Sequence, residues 1–289
     1  MTKPTFLIIG AMKSGTTSLH HYLKLHPEIQ IPAMKELNFF SGPPGAYPYP
    51  AGSRRIQHLA DYEKLFDPAF AVRGEASPNY AVHPRRPGAA ERIKDIVPDV
   101  KLIYAVRDPV TRAVSQYQHH VASVNERRSL QDALLEDLDD PASLYICPGF
   151  YALQLDQYLR HFPQENMLVV NQADLLADRR ATLRDIFAFL EVDDSFVSAG
   201  FDEEVLTAEG HRTYSSLVTL LAWSRTTPLL KLPRGLRLFM RRSAERVVSQ
   251  PLQAPTLDDD LRSRLQELYA SDVKRFRELT GKTFPTWSV

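Results

Sequence analysis

An α/β fold, with a central, mainly parallel sheet flanked by helices, follows from three observations on this 289-residue chain. Two short apolar runs, Phe6–Gly10 (FLIIG) and Lys101–Val106 (KLIYAV), lack polar alternation, as strands buried on both faces do. Each runs through a turn into a stretch of helical periodicity, the repeat of a parallel sheet. Hydrophobic residues make up 44% of the chain, enough for one sizeable core. The whole of 1–289 is therefore expected to be one domain, with a variable, lid-like segment at about 211–256.

The first strand is expected at 5–10 and the first helix at 16–26, where apolar periodicity begins at Leu19. Between them lies AMKSGTTS. Strand, glycine loop and helix start together make an anion site: backbone N–H groups point outward and the helix dipole favours negative charge. Gly10 and Gly15 have the spacing of a nucleotide-binding P-loop, GxxxxGK[ST], but Thr16 stands where that motif has its Lys. The loop's Lys is Lys13, before Gly15, where it reaches one terminal group and its bridging oxygen rather than spanning a metal-bound triphosphate. No strand-ending Asp of the metal-holding kind stands out.

Helices are expected next at 58–66 and 86–97, with a strand at 71–75 between them. In GEASPNYAVHP, Pro78 stops that strand and Glu75 is expected to point into the cleft. After the strand at 101–106, Asp108 reads as an N-cap and Pro109 as the first residue of a helix over 109–125. Val110, Ala113, Val114, Tyr117 and Val121 carry its apolar face. Arg107 thus sits at the carboxyl end of a strand, where open α/β sheets bind ligands, and Ser115 lies about two turns on. An Arg fork with a hydroxyl suits a second phosphate; an Arg107–Asp108 pair with an exposed Ser fits the residues as well. Further helices are expected at 129–137, 151–161, 181–190 and 258–280, and a strand at 167–171.

Together these segments resemble the sulfotransferases that use 3′-phosphoadenosine 5′-phosphosulfate (PAPS), with the closest likeness to the heparan-sulfate-type and bacterial branch. IIGAMKSGTTSLHHYLKLHPEI is similar to that family's 5′-phosphosulfate loop and KLIYAVRDPVTRAVSQY to its 3′-phosphate element. MKELNFFSG, GEASPNY, the run from 149 to 192 and the closing TGKTFPTW extend the resemblance to most of 4–192 and the C-terminal end. It implies that Lys13 holds the 5′-phosphosulfate and its bridging oxygen, with Ser14, Gly15, Thr16, Thr17 and Ser18 donating to the same group. Arg107 and Ser115 would hold the 3′-phosphate, and no metal is implied. Tyr151 falls where the family contacts the adenine or the 3′-phosphate, although a structural aromatic at a helix start fits too; Arg212 matches a late basic cofactor loop only loosely.

By the same resemblance Glu36, in an E-x-x-F-F segment, is the general base, with burial beside Phe39 and Phe40 expected to raise its pKa. A surface pair with Lys35 is the alternative. Some members carry His two positions on; here it is Asn38, which puts a His-assisted variant in doubt. His20, His21 and His83 are weaker candidates, while His119 and His120, on the 3′-phosphate helix, are placed to face the acceptor together with Glu75. Ala76 stands where the branch often has a Lys contacting substrate or cofactor, which argues weakly against a glycosaminoglycan acceptor. The runner-up reading is a P-loop kinase of a small metabolite, which shares strand, loop and helix but needs metal and ATP.

Composition excludes several classes. Equal counts of 35 basic and 35 acidic residues give no footprint for nucleic acid. The single Cys147 excludes an intramolecular disulfide, and no signal-like or membrane-spanning run is seen, so a cytoplasmic protein is expected. Gly42–Ser53 (GPPGAYPYPAGS) reads as a loop over the acceptor site. Residues 217–248 interleave Leu, Phe, Trp and Met with seven Lys or Arg between Arg225 and Arg246. They read either as an amphipathic lid touching a lipid-like acceptor, a carrier or a membrane surface, or as an ordinary helix pair on the core. The acceptor is left open among small-molecule, lipid-like, carbohydrate and carrier-bound classes.

Overall fold

The computed structural model describes residues 2–42, 56–123, 126–203, 205, 212–214, 249–251 and 256–289. Most of the loop expected at 42–53, and the segment expected at 217–248, lie outside the described residues. The central sheet has five parallel strands, β1 (Phe6–Gly10), β2 (Ile29–Gln30), β3 (Val72–Ala76), β4 (Lys101–Val106) and β5 (Met167–Asn171), in the order β2-β3-β1-β4-β5. A separate antiparallel pair joins β6 (Arg212–Tyr214) to β7 (Ser249–Pro251). The helices are α1 (Thr16–Leu23), α2 (Leu59–Glu63), α3 (Ala89–Ile96), α4 (Pro109–Ala122), α5 (Leu130–Asp137), α6 (Tyr151–Leu159), α7 (Gln172–Ala177), α8 (Arg179–Leu190) and α9 (Asp259–Thr280).

Alternate residues of the inner strands feed two cores. Leu7, Ile9, Leu102, Tyr104 and Val106 pack on one face, with residues of α3, α4, α6 and α9; Phe6, Ile8, Ile103 and Ala105 pack on the other, with residues of α1 and α8. This two-sided burial is why these strands read as unbroken apolar runs. β1 lies between β3 and β4, so successive connections leave it in opposite directions. The crevice at its carboxyl end, beside that of β4, is where such a sheet binds ligands.

Distant elements brace this crevice. The N-cap residue of α6, Phe150, makes no side-chain cap; Asp272 of α9 instead accepts from Ala152 N–H and Leu153 N–H, each at 3.0 Å. Burial pushes the Asp272 carboxyl up to about 6. Asp108 caps α4 by accepting from Thr111 N–H at 2.8 Å, and its other oxygen accepts from Ser288 N–H and Oγ at 2.6 and 2.7 Å. Trp287 donates Nε1–H to Asn171 Oδ1 at 3.2 Å and stacks on Phe284 and Phe276. The C-terminal end is thereby fastened to the ends of β4 and β5.

Glu75 does not point into the cleft as expected. It is fully buried beneath it, accepting from Tyr80 Oη at 2.5 Å, Ser77 Oγ at 2.6 Å and Tyr62 Oη at 3.2 Å. Burial outweighs those three donors and pushes its carboxyl up to about 7. Ser77 Oγ in turn accepts the Asn38 N–H at 3.0 Å, so the carboxyl supports the segment that carries Glu36.

Two predictions concern stability. Gly74 pairs with Phe6, whose ring lies across it; a methyl group there would overlap the ring. Gly74→Ala should cost about 1–3 kcal/mol by overpacking, read as a lower midpoint in urea. Glu75 keeps its proton in the folded state up to about pH 7, whereas the unfolded chain loses it near 4.5. Its contribution is therefore fully present below 4.5 and falls as pH rises to about 7, by on the order of 3 kcal/mol. Glu75→Gln should flatten that part of the stability–pH curve in urea titrations; an unchanged slope would show that Glu75 is ionised in the fold.

Candidate active site

The loop between β1 and α1 is pinned by Ala11 N–H donating to Ala105 O at 2.5 Å, which ties it to β4. Gly15 ends the loop at φ 89°, a left-handed geometry that glycine adopts without strain, and is the N-cap of α1. The N–H groups of the first turn of α1 face out of the helix end without intrahelical acceptors. Lys13 also has a left-handed φ, of 68°. Glu36 and Asn38 share this geometry at φ 59° and 53°, so three of the five non-glycine residues of positive φ among the described residues sit at this site. Such clustering of backbone strain is a mark of functional sites.

The charges converge. Burial, then Arg107, then Lys35 push the Lys13 ammonium below its usual range, while Glu36 opposes them. Arg107, Lys35 and Glu36 thus lie within electrostatic reach of Lys13 although they come from the end of β4 and the segment before β3. Arg107 is half-buried; its Nε donates to Thr111 Oγ1 at 3.0 Å, and burial lowers its pKa from the usual value. Ser115 is half-buried on α4. Three cations and one carboxylate around the end of a helix form a receptor for a multiply charged anion.

Other expected residues take different places. Tyr151 is wholly buried; its Oη donates to Arg107 O at 2.6 Å and accepts from Arg107 N–H at 3.3 Å, and it has Ser14 beside it. It positions the Arg107 backbone instead of presenting a face to a ligand, which corrects the expected adenine or phosphate contact. The Ser18 hydroxyl donates to Val205 O at 3.1 Å, so that donor is engaged within the protein. Thr16 is buried and Thr17 half-buried at the helix start. Glu36 is exposed rather than packed under Phe39 and Phe40, so the burial expected to tune it is not there. Its place is set by backbone: Glu36 N–H donates to Ala76 O at 3.0 Å, and Asn38 Nδ2 donates to Glu36 O at 2.8 Å.

His119 is exposed, whereas His120 is half-buried, 3.2 Å from Gln116 Nε2, and feels the charge of Lys13; burial lowers its pKa. His120 therefore borders the site. His20 is pushed down to about 4 by burial and by Lys35, and its Nε2 lies 3.3 Å from Pro32 O. Of Arg212 the structure describes the backbone, in β6, and its side chain lies outside the described residues. The residue that sequence reasoning missed is Lys35. It reads as a surface partner of Glu36 until the fold sets it against Thr16 and Thr17, and no spacing in the sequence announces that contact.

Comparison with known proteins gives the family. The family model described as the sulfotransferase domain matches residues 3–217. Mouse (Mus musculus) heparan sulfate glucosamine 3-O-sulfotransferase 3B1 is 32% identical over 193 residues, covering 65% of this chain and 46% of the relative, so the match spans about half of that protein's length. Human (Homo sapiens) heparan sulfate glucosamine 3-O-sulfotransferase 6 is 29% identical over 288 residues, 97% of this chain and 73% of the relative. The crystal structure of a sulfotransferase from Alicyclobacillus acidocaldarius superposes with a TM-score of 0.74 at 28% identity, covering 100% of both chains. On the family match and the parallel sheet, the chain belongs to the sulfotransferase domain family.

Proposed function

We propose that this protein transfers a sulfuryl group from PAPS to a hydroxyl or amine of an acceptor, with Lys13 at the leaving group and Glu36 as general base. The observation that carries this reading is the partly buried Lys13, in the loop that leads into α1 and within electrostatic reach of Arg107 and Lys35. The residues fit a bisphosphate nucleotide: the α1 end with Lys13 would hold the 5′ group, and Arg107 with Ser115 the 3′-phosphate. Thr16 in place of the P-loop Lys weighs against the kinase alternative.

When bound, PAPS supplies an activated sulfuryl group on a phosphate leaving group. The chain's own residues then have three tasks. The Glu36 carboxylate takes the proton of the acceptor as its oxygen or nitrogen bonds to sulfur. The Lys13 ammonium meets the negative charge that develops on the bridging oxygen as its bond to sulfur breaks. The first turn of α1 and Arg107 fix the two anionic ends so that the reacting atoms stay in line. Because the curated relatives above are named for heparan sulfate glucosamine, carbohydrates lead the acceptor classes to be screened, ahead of small-molecule, lipid-like and carrier-bound ones. Ala76 is buried and brings no cation to the cleft.

The test is calorimetric titration with 3′-phosphoadenosine 5′-phosphate (PAP), beside ATP, with chelator present. PAP should bind without metal, and Arg107→Ala should weaken it at least tenfold; Mg²⁺-dependent ATP binding with no PAP binding would install the kinase reading instead. With an acceptor in hand, Lys13→Ala should lower turnover by about two to three powers of ten. Glu36→Gln should bind PAP as the wild type does and fail in transfer; normal transfer would remove Glu36 from its role.

A further inference from the structure

Lys35 has more to do than its neighbour Glu36 explains. Its side chain is 19% exposed against 47% for Glu36, and its Nζ lies 3.7 Å from Glu36 Oε1. That is longer than a charge-assisted hydrogen bond of about 2.7–2.9 Å. The shortest bond of the ammonium goes instead to Thr17 Oγ1, with Thr16 Oγ1 at 3.5 Å. Both hydroxyls stand in the first turn of α1, beside its free N–H groups. A hydroxyl has one proton and two lone pairs. When an ammonium occupies a lone pair of Thr17, the hydroxyl proton must point away from it, free to donate to another acceptor.

Burial of Lys35 near a second ammonium is electrostatically costly, and the cost falls on both groups: burial lowers the pKa of each, and Lys35 further depresses Lys13. Glu36 is the opposing charge named on either of them. An arrangement of this kind is relieved by an arriving anion of more than one charge.

We propose that Lys35 is a second cation of the 5′-phosphosulfate site, which binds the anion's charge jointly with Lys13 and turns the Thr16 and Thr17 hydroxyls toward it. This rests on the PAPS reading above. Lys35 is on this account a positioning and binding residue, one segment away from the loop that carries the resemblance to phosphate-binding proteins. The charged and titratable groups around the pair are Arg107 from the end of β4, Glu36 beside Lys35, His20 on α1 and His120 on α4.

The experiment is PAP calorimetry from neutral to alkaline pH on the wild type, Lys35→Met, Thr17→Val and the double variant. Methionine keeps the length of the chain and removes the charge. Lys35→Met should weaken PAP about tenfold or more at neutral pH, the usual worth of a hydrogen bond to a charged group. The alkaline fall in PAP affinity should also move to higher pH, because Lys13 has lost a neighbouring cation. A merely structural loss would weaken binding without moving that limb. Thr17→Val should weaken PAP as well, and the double variant should lose less than the product of the two single effects, since each acts partly through the other. If Lys35→Met fails to fold, Thr17→Val alone decides: unchanged PAP affinity would overturn the proposal. Wild-type PAP binding with unchanged affinity and limb in Lys35→Met overturns the role of Lys35 and leaves the sulfotransferase reading standing. Absence of PAP binding in the wild type overturns both.

Discussion

The repulsion that Arg107 and Lys35 exert on the partly buried Lys13 is the constraint on which the arrangement of the site depends. The groups are partly withdrawn from water, where their repulsion is less screened than on an open surface. No strand or helix carries more than one of them, so none could gather them alone. The parallel sheet brings them together: the β1–α1 loop brings Lys13, the end of β4 brings Arg107, and the segment tied to the end of β3 brings Lys35. The positive end of the α1 dipole adds to the same field. The surrounding structure holds these charges in place.

Two braces do this. On the Arg107 side, Asp272 caps α6, α6 places Tyr151, and the Tyr151 hydroxyl both donates to and accepts from the Arg107 backbone. The C-terminal Ser288 and Trp287 reach the caps at Asp108 and Asn171 on the same edge. On the Glu36 side, the buried Glu75 holds Ser77, which holds the Asn38 N–H, and Asn38 holds the Glu36 carbonyl. In both braces a buried polar group far along the chain is satisfied by a main-chain atom next to a site residue. The polar cores thereby fix the position of the charges rather than merely filling space.

Much of this was legible in the residues, for physical reasons. The strands at 101–106 and 167–171 appear where expected, and those at 5–10 and 71–75 shift by one residue, because two-sided burial forces unbroken apolar runs. Asp108 and Pro109 mark the start of α4 as their chemistry demands. The two-residue β2 escaped, being too short to show any period, and α8 begins two residues ahead of expectation because Asp178 caps it by accepting from Ala181 N–H. Side-chain roles were harder. Tyr151 fits either a ligand contact or a structural aromatic in the sequence, and Glu75 reads as pointing into the cleft; both are buried braces, and nothing local to an aromatic or a Glu tells which side of a sheet's end it will take. Lys35 was hidden for the opposite reason. Its adjacent Glu36 offered an easy partner, and only tertiary structure reveals the threonines that compete for it.

The pair of carboxyls below and above the cleft shows why geometry must precede pKa in assigning a base. Glu75, raised to about 7, has the proton affinity that a general base near neutral pH ideally possesses. Yet it is wholly buried, and its oxygens are taken by two tyrosines and a serine, so an acceptor's proton has no path to it. Glu36 is the exposed carboxylate facing Lys35 and Lys13, at the mouth of the anion site. Its charge also raises the pKa of Glu75 beneath it. Burial holds the deeper carboxyl partly protonated near neutral pH, which lessens the negative charge set close to the upper one. Glu75 therefore serves the chemistry proposed for Glu36 by staying out of it. It supports the segment through hydrogen bonds, and its raised proton affinity limits the repulsion it adds beside an incoming donor that carries several negative charges.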